Sequence, residues 1–319
     1  MAELTTYRGE RSDGGGAAAP SAVGKDRTWR PAGHRRPGTL RARASWTGRG
    51  RLVAGLVGLV VLVLGAILIP WLGGLDQGAV DYTAVRQPPS LAHPFGTDAV
   101  GRDLFLRSFA GLGVSLTVAA SCAVISTVIG TLYGALSGLL GGWPDRILMR
   151  AVDGVNAVPH LLLGIVIVAL YRGSVPAVIA SIGLTHWTTV ARVVRSEVLS
   201  LRSRPYVDAA ISGGASRRRV LGRHLLPAVV PPAVLSSVLI LPHAVWHETA
   251  LSFLGLGLPP HLASLGNILA EGRQAVLLGS WWIVVFPSAL LAATTLAVAG
   301  IAAWWRDRSR PRRRSEMAL

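Results

Sequence analysis

Between Ser108 and Pro144 the chain carries no charged side chain, and between Leu52 and Leu72 it carries none either. A helix needs roughly 20 predominantly apolar residues to cross the hydrocarbon core of a bilayer. Both runs are long enough, and four more predominantly apolar segments follow, near Ile147–Tyr171, Ser174–Val194, Val230–Phe253 and Trp281–Trp305, with only Arg150, Asp153, Arg192 and Glu248 charged within them. The Ser108–Pro144 run fits one span, about Gly111–Leu136. The expectation is an all-α membrane protein with six transmembrane helices in one membrane domain. Composition agrees: of 319 residues, 51% are hydrophobic and 15% charged, against roughly 25% charged in ordinary soluble domains. The first run lacks the short apolar core and small-residue cleavage site of a signal peptide, so it reads as an uncleaved helix.

The charges then set a topology. Net charge is +16, and Lys25 is the only lysine, so arginine carries nearly all of it. Residues 1–48 form a basic tail rich in Gly, Ala, Arg and Pro, expected to be disordered. It holds the N-terminus inside or touches anionic headgroups. Residues 49–108 read as the first span and an external segment. From Asp76 to Arg107, Asp76, Asp81, Asp98 and Asp103 nearly balance Arg86, Arg102 and Arg107. Between spans four and five the balance breaks. Arg192, Arg195, Arg202, Arg204, Arg217, Arg218, Arg219 and Arg223 face only Glu197 and Asp208. Residues 306–319 form a second basic tail. Cytoplasmic segments carry the excess of arginine, so both termini and the 200–227 loop are expected on the cytoplasmic side of a cell membrane. Topology alone accounts for Arg217–Arg219, and so does an acidic partner surface or anionic lipid. The same distribution argues against nucleic acid, since no folded module presents the basic tails.

The 200–227 loop carries its own structural signals. Pro205 suits the first turn of a helix, and Asp208 falls near that positive end. Ala209 and Ala210 are strong helix formers of little bulk. Gly213-Gly214 predicts a left-handed C-cap, and Ser216 a cap for a second helix that stops at Pro227.

The spacing Asp208-Ala209-Ala210, three residues, Gly214, then Leu226-Pro227, resembles the EAA coupling loop of ABC-importer permease subunits. Asp208 stands where Glu is usual. The flanking runs Arg-Pro-Tyr-Val-Asp-Ala-Ala and Arg-His-Leu-Leu-Pro resemble the peptide and nickel branch. The run from His93 to Leu116 resembles the segment ahead of the transport domain in dipeptide and oligopeptide permeases of the "C" type. His247-Glu248 through Leu251-Ser252-Phe253-Leu254-Gly255-Leu256-Gly257 resembles that family again. Leu262 to Asn267 is similar to its external Pro-Ser-Trp-Gly segment, with Leu265 in place of the Trp.

The resemblance implies a type I importer permease fold: a first helix plus a five-helix core over residues 109–305. It implies an ATPase-coupling role for Tyr206, Asp208, Ala209, Ala210, Gly214, Ala215, Leu226 and Pro227. It also implies partners: a second homologous permease subunit, two cytoplasmic ATP-binding subunits and an extracytoplasmic solute-binding protein. The cargo class is peptides or similar small solutes.

Other polar residues admit two readings each. Intramembrane polar groups usually face a bundle interior or a pathway, which makes Asp153, Asn156 and Glu248 candidate pathway residues. Asp153 and Asn156 also fit interfacial capping, and Glu248 a buried partner for Arg or His. His93, Asp98 and Asp103 fit turn capping or a ligand role. Gly130, Gly134 and Gly138 recur every four residues and predict close helix packing. Cys122, the single cysteine, reads as a packing residue.

A different class of function rests on His243, His247 and Glu248. His243 and His247 share a helix face, as metal ligands can, which suggests an intramembrane metal-dependent enzyme. Their order is not that of the zinc proteases, where Glu follows the first His. No nucleotide-binding Gly-x4-Gly-Lys-Ser/Thr loop occurs, so ATP hydrolysis would lie on another chain. A self-sufficient secondary transporter would show an internal repeat, and none is visible. No catalytic residue, cofactor or metal is assigned.

Overall fold

A computed structural model describes residues 48–309 apart from 75, 77 and 78. The two terminal tails expected from sequence fall outside the described residues, except that Gly48 opens the first helix and residues 306–309 continue the last. The described chain is helical, with one isolated bridge between Thr97 and Asp103. In order the helices are α1 Gly48–Leu72, α2 Leu104–Leu140, α3 Gly142–Ala157, α4 His160–Leu170 and α5 Val175–Arg202. They continue with α6 Pro205–Ser212, α7 Arg217–Val220, α8 Leu226–Phe253, α9 Leu265–Leu277 and α10 Trp282–Ser309. Five apolar helices are long enough to cross a membrane, and α3 with α4 makes a sixth crossing if the pair is one bent span.

That pair corrects the expectation of a single helix over 147–171. α3 and α4 meet at 79°. Pro159 lacks an N–H and pushes the residue before it out of the helical region, and Val158 is extended at φ −89°, ψ 130°. By contrast, Pro231, Pro232 and Pro242 all sit inside α8 without breaking it.

The core forms where α2, α5 and α8 meet, through Val118, Ala119, Cys122, Val190, Val194 and Ala233 among others. The glycine ladder makes this possible. A Cβ on Gly130 would lie 2.6 Å from the Trp187 carbonyl oxygen, one on Gly138 would lie 2.7 Å from Val198, and one on Gly134 would run into the Ala191 carbonyl. With no side chain there, α2 and α5 approach backbone to backbone, as small residues allow in membranes. Cys122 is buried in this seam, as expected of a packing residue.

The segment between α1 and α2 is held by capping and by charge. Asp98 accepts from the amides of Val100 and Arg102 at 2.9 and 3.0 Å, and Asp103 caps α2 through the Leu106 amide at 3.0 Å. The Thr83 hydroxyl and amide donate to Asp81 and hold its carboxyl below the usual carboxylate range. Sequence did not reveal the ion cluster here. Buried Arg107 bridges buried Asp98 and, at 2.8 and 3.1 Å, both oxygens of Glu271 on α9. A buried charge persists only when paired this fully. The cluster ties the segment ahead of the transport core to α9.

Candidate coupling site

The loop after α5 folds largely as its residues dictate. Pro205 occupies the first turn of α6, and Asp208 lies in that turn near the helix's positive end. The helix ends in a Schellman motif. The Ala215 amide donates to the Ala210 carbonyl at 3.0 Å, the Gly214 amide to Ile211 at 2.9 Å, and Gly214 is left-handed at φ +82°. Ser216 accepts from the Arg219 amide at 3.4 Å.

Past α7 the structure corrects the sequence expectation. The second helix does not stop at Pro227. One turn of π-helix, Leu221–Leu225, precedes α8, and the Leu226 amide donates to Leu221, five residues back. The wider turn shifts the bonding pattern, so Pro227, which has no N–H to give, enters α8 near its start and the helix runs unbroken to Phe253.

The expected coupling residues divide by exposure. Tyr206, Asp208, Ala209, Gly214 and Pro227 are exposed, whereas Ala210, Ala215 and Leu226 are half-buried. The Tyr206 ring lies 6.2 Å from the His224 ring across the two arms of the loop. What fixes α6 to the protein is a residue that sequence did not single out. Val207 is fully buried and belongs to the core cluster with Val220 and Leu225. Alongside it is a cavity of about 250 Å³ lined by Leu139, Arg202, Val207, Ile211, Ala215 and Val220. α6 therefore leaves Tyr206, Asp208, Ala209 and Ile211 exposed while one inward side chain, Val207, anchors it.

Polar pairs bind α3 to α5, the helix that leads into α6. Asp145 accepts from Arg195 at 2.6 and 2.5 Å and also from Ser137 of α2. Arg192 donates to Asp153 at 2.8 Å, with both side chains about half exposed. Thr188 donates to Asn156 at 2.8 Å. Asp153 and Asn156, the candidate pathway residues on this span, are thus both engaged with α5. The pairing of Asp145 with Arg195 is not legible in the sequence, because nothing in a linear chain says which opposite charges meet.

Glu248 is closed off from the surface. It accepts from Ser115 of α2 at 2.6 Å and from Ser252 at 2.9 Å, and Ser264, the N-cap of α9, is a third hydroxyl partner. Among the described residues neither an arginine nor a histidine is hydrogen-bonded or ion-paired to it. His247 points elsewhere, its ring 4.9 Å from that of His186 on α5, which lies 5.7 Å from His160 on α4. The His243, His247 and Glu248 constellation is therefore not one site: adjacent positions on a helix face about 100° apart, and here they serve different neighbours.

The family described as "Binding-protein-dependent transport system inner membrane component" matches residues 130–315. The chain is 38% identical over 265 residues to a putative peptide transport system permease protein of Brucella abortus, covering 82% of this chain and 88% of that protein. It is 37% identical over 264 residues to the oligopeptide transport system permease protein OppC of Escherichia coli K12, covering 82% and 87%. To OppC of Bacillus subtilis it is 33% identical over 262 residues, covering 82% and 86%. The all-α bundle of apolar helices and the matched region agree, and the chain belongs to the binding-protein-dependent inner-membrane transport components, a family of multi-pass membrane permeases.

Proposed function

We propose that this chain is a permease subunit of an ATP-driven importer for peptides or similar small solutes. It works with a second homologous permease, two cytoplasmic ATP-binding subunits and an extracytoplasmic solute-binding protein. Both termini and α6 face the cytoplasm, as the arginine distribution supports. Closure of the ATP-binding subunits pulls on α6 and its C-terminal turn, Tyr206 to Ala215, and on the turn at Leu226-Pro227. α5 and α8, which flank the loop, then move as rigid bodies and switch which side is open. Asp153 and Asn156 travel with α5 through their bonds to Arg192 and Thr188. Glu248 acts as a polar strut joining α2, α8 and α9 in this conformation.

The observation that carries this reading is the construction of α6. It is a short helix whose exposed side includes Tyr206, Asp208, Ala209 and Ile211, anchored inward by Val207 and set between the two core helices. Such a handle transmits force only if it is rigidly joined to what it moves. The peptide cargo is inferred from the names of the relatives.

The test is reconstitution in proteoliposomes with and without the ATP-binding subunits and the binding protein. Peptide uptake against a gradient is expected only with the full set and ATP. Uphill uptake by the chain alone would overturn the proposal.

A further inference from the structure

We propose that the groove between α8 and α10 holds an anionic phospholipid of the cytoplasmic leaflet. The inference rests on the proposed membrane orientation, not on the transport role. The groove has a volume of about 340 Å³. Its walls are apolar, with Leu239 from α8 and Val298, Ala299 and Ala302 from α10. Arg306 stands at one end. At the other, the exposed Trp246 donates to the Thr295 hydroxyl at 3.1 Å and closes it.

Length and charge together select the occupant. At a rise of 1.5 Å per residue, Thr295 to Arg306 spans roughly 16 Å, close to the roughly 15 Å of one leaflet's hydrocarbon. Trp304 and Trp305, beside Arg306, mark the level of the headgroups, where tryptophan concentrates. Arg306 therefore lies where lipid phosphates lie. It makes no ion pair among the described residues; Asp307 follows it without pairing, and Arg308 turns over the Trp304 ring at 5.5 Å. A guanidinium matches phosphate through two parallel hydrogen bonds. The phosphate sits on Arg306, and an acyl chain fills the groove up to Trp246. A protein covering this face would have to supply its own acid to Arg306.

The assembled transporter in phosphatidylcholine nanodiscs tests this, with phosphatidylglycerol or phosphatidylcholine brominated on the acyl chain as quencher. Brominated phosphatidylglycerol is expected to quench a fluorescence component that Trp246→Phe removes. Arg306→Gln should cut that component several-fold, Arg306→Lys should restore part of it, and Ala299→Phe, which fills the groove, should abolish it. Equal quenching by the two lipids, with Arg306→Gln without effect, would overturn the proposal. So would the absence of any Trp246-dependent quenching, as when a subunit covers the face. Uptake is not the readout, so failure here leaves the transport reading intact.

Discussion

Arg202, the last residue of α5, donates through Nη1 to the carbonyl of Gly138 at 2.9 Å. That bond latches the root of the α6 loop to the end of α2, within reach of the cavity that Val207 also lines. Arg202→Gln, which weakens the latch, should lower uptake per ATP hydrolysed several-fold while the subunits still assemble. The ratio of uptake to hydrolysis in proteoliposomes measures this, and an unchanged ratio would count against a mechanical role.

Val207 should behave in the same sense for a different reason. Val207→Ala removes two buried methyl groups beside an existing cavity, at a cost of about 2 kcal/mol. α6 then sits loosely on its anchor. The expectation is normal membrane insertion, weaker stimulation of the ATP-binding subunits by substrate, and a lower uptake-to-hydrolysis ratio. Val207→Ile, which keeps the contact, should stay near wild type in both measurements.

Gly214 separates backbone from surface effects. At φ +82° any other residue costs about 1–2 kcal/mol, yet nothing lies within 4 Å of the position an added Cβ would take. Gly214→Ala should therefore fray the end of α6 mildly. Gly214→Trp adds bulk only outwards and should block docking, abolishing ATP-driven uptake with the protein still inserted. Uptake at the wild-type rate by Gly214→Trp would sink the docking role.

The Asp145–Arg195 pair should show strong coupling. Asp145→Ala leaves a guanidinium and the Ser137 hydroxyl without their partner; Arg195 is 31% exposed, so the loss is about 1–3 kcal/mol, below that of a fully buried pair. Removing both residues should cost less than the two single losses added together, as a double-mutant cycle on thermal unfolding in detergent would read.

Glu248 distinguishes a hydrogen-bond strut from a functional charge. Glu248→Gln keeps one acceptor oxygen and puts an NH2 donor in place of the other, which a serine hydroxyl can accept after reorienting, and should preserve stability and most uptake. Glu248→Ala strands up to three buried hydroxyls, at about 1–3 kcal/mol for each left unsatisfied, and should lower the unfolding temperature markedly. If Gln proves as damaging as Ala to uptake while stability is kept, the negative charge itself matters.

Much of this protein is legible in one dimension because lipid enforces local rules. Apolar length decides which segments are able to cross, and Pro205, Gly214 and Ser216 shape the α6 loop through interactions no more than five residues apart. The spacing of Gly130, Gly134 and Gly138 likewise announced a close helix contact, though not that Val190, Ala191 and Val198 supply the other side. The bend at Pro159 and the unbroken passage through Pro227 show the limit of the local rule. A proline breaks a helix only where no wider turn or neighbour absorbs the missing donor, and that is settled by the surroundings.

Partner choice belongs to the tertiary structure alone. Sequence placed Glu248 beside His247, but packing sent one to three serines and the other to His186. It also brought Asp145 to Arg195 and Arg107 to Glu271 across many intervening residues. Charge and hydrogen bonding act over a few ångströms of space, whatever the distance along the chain, so only the folded bundle decides which groups meet.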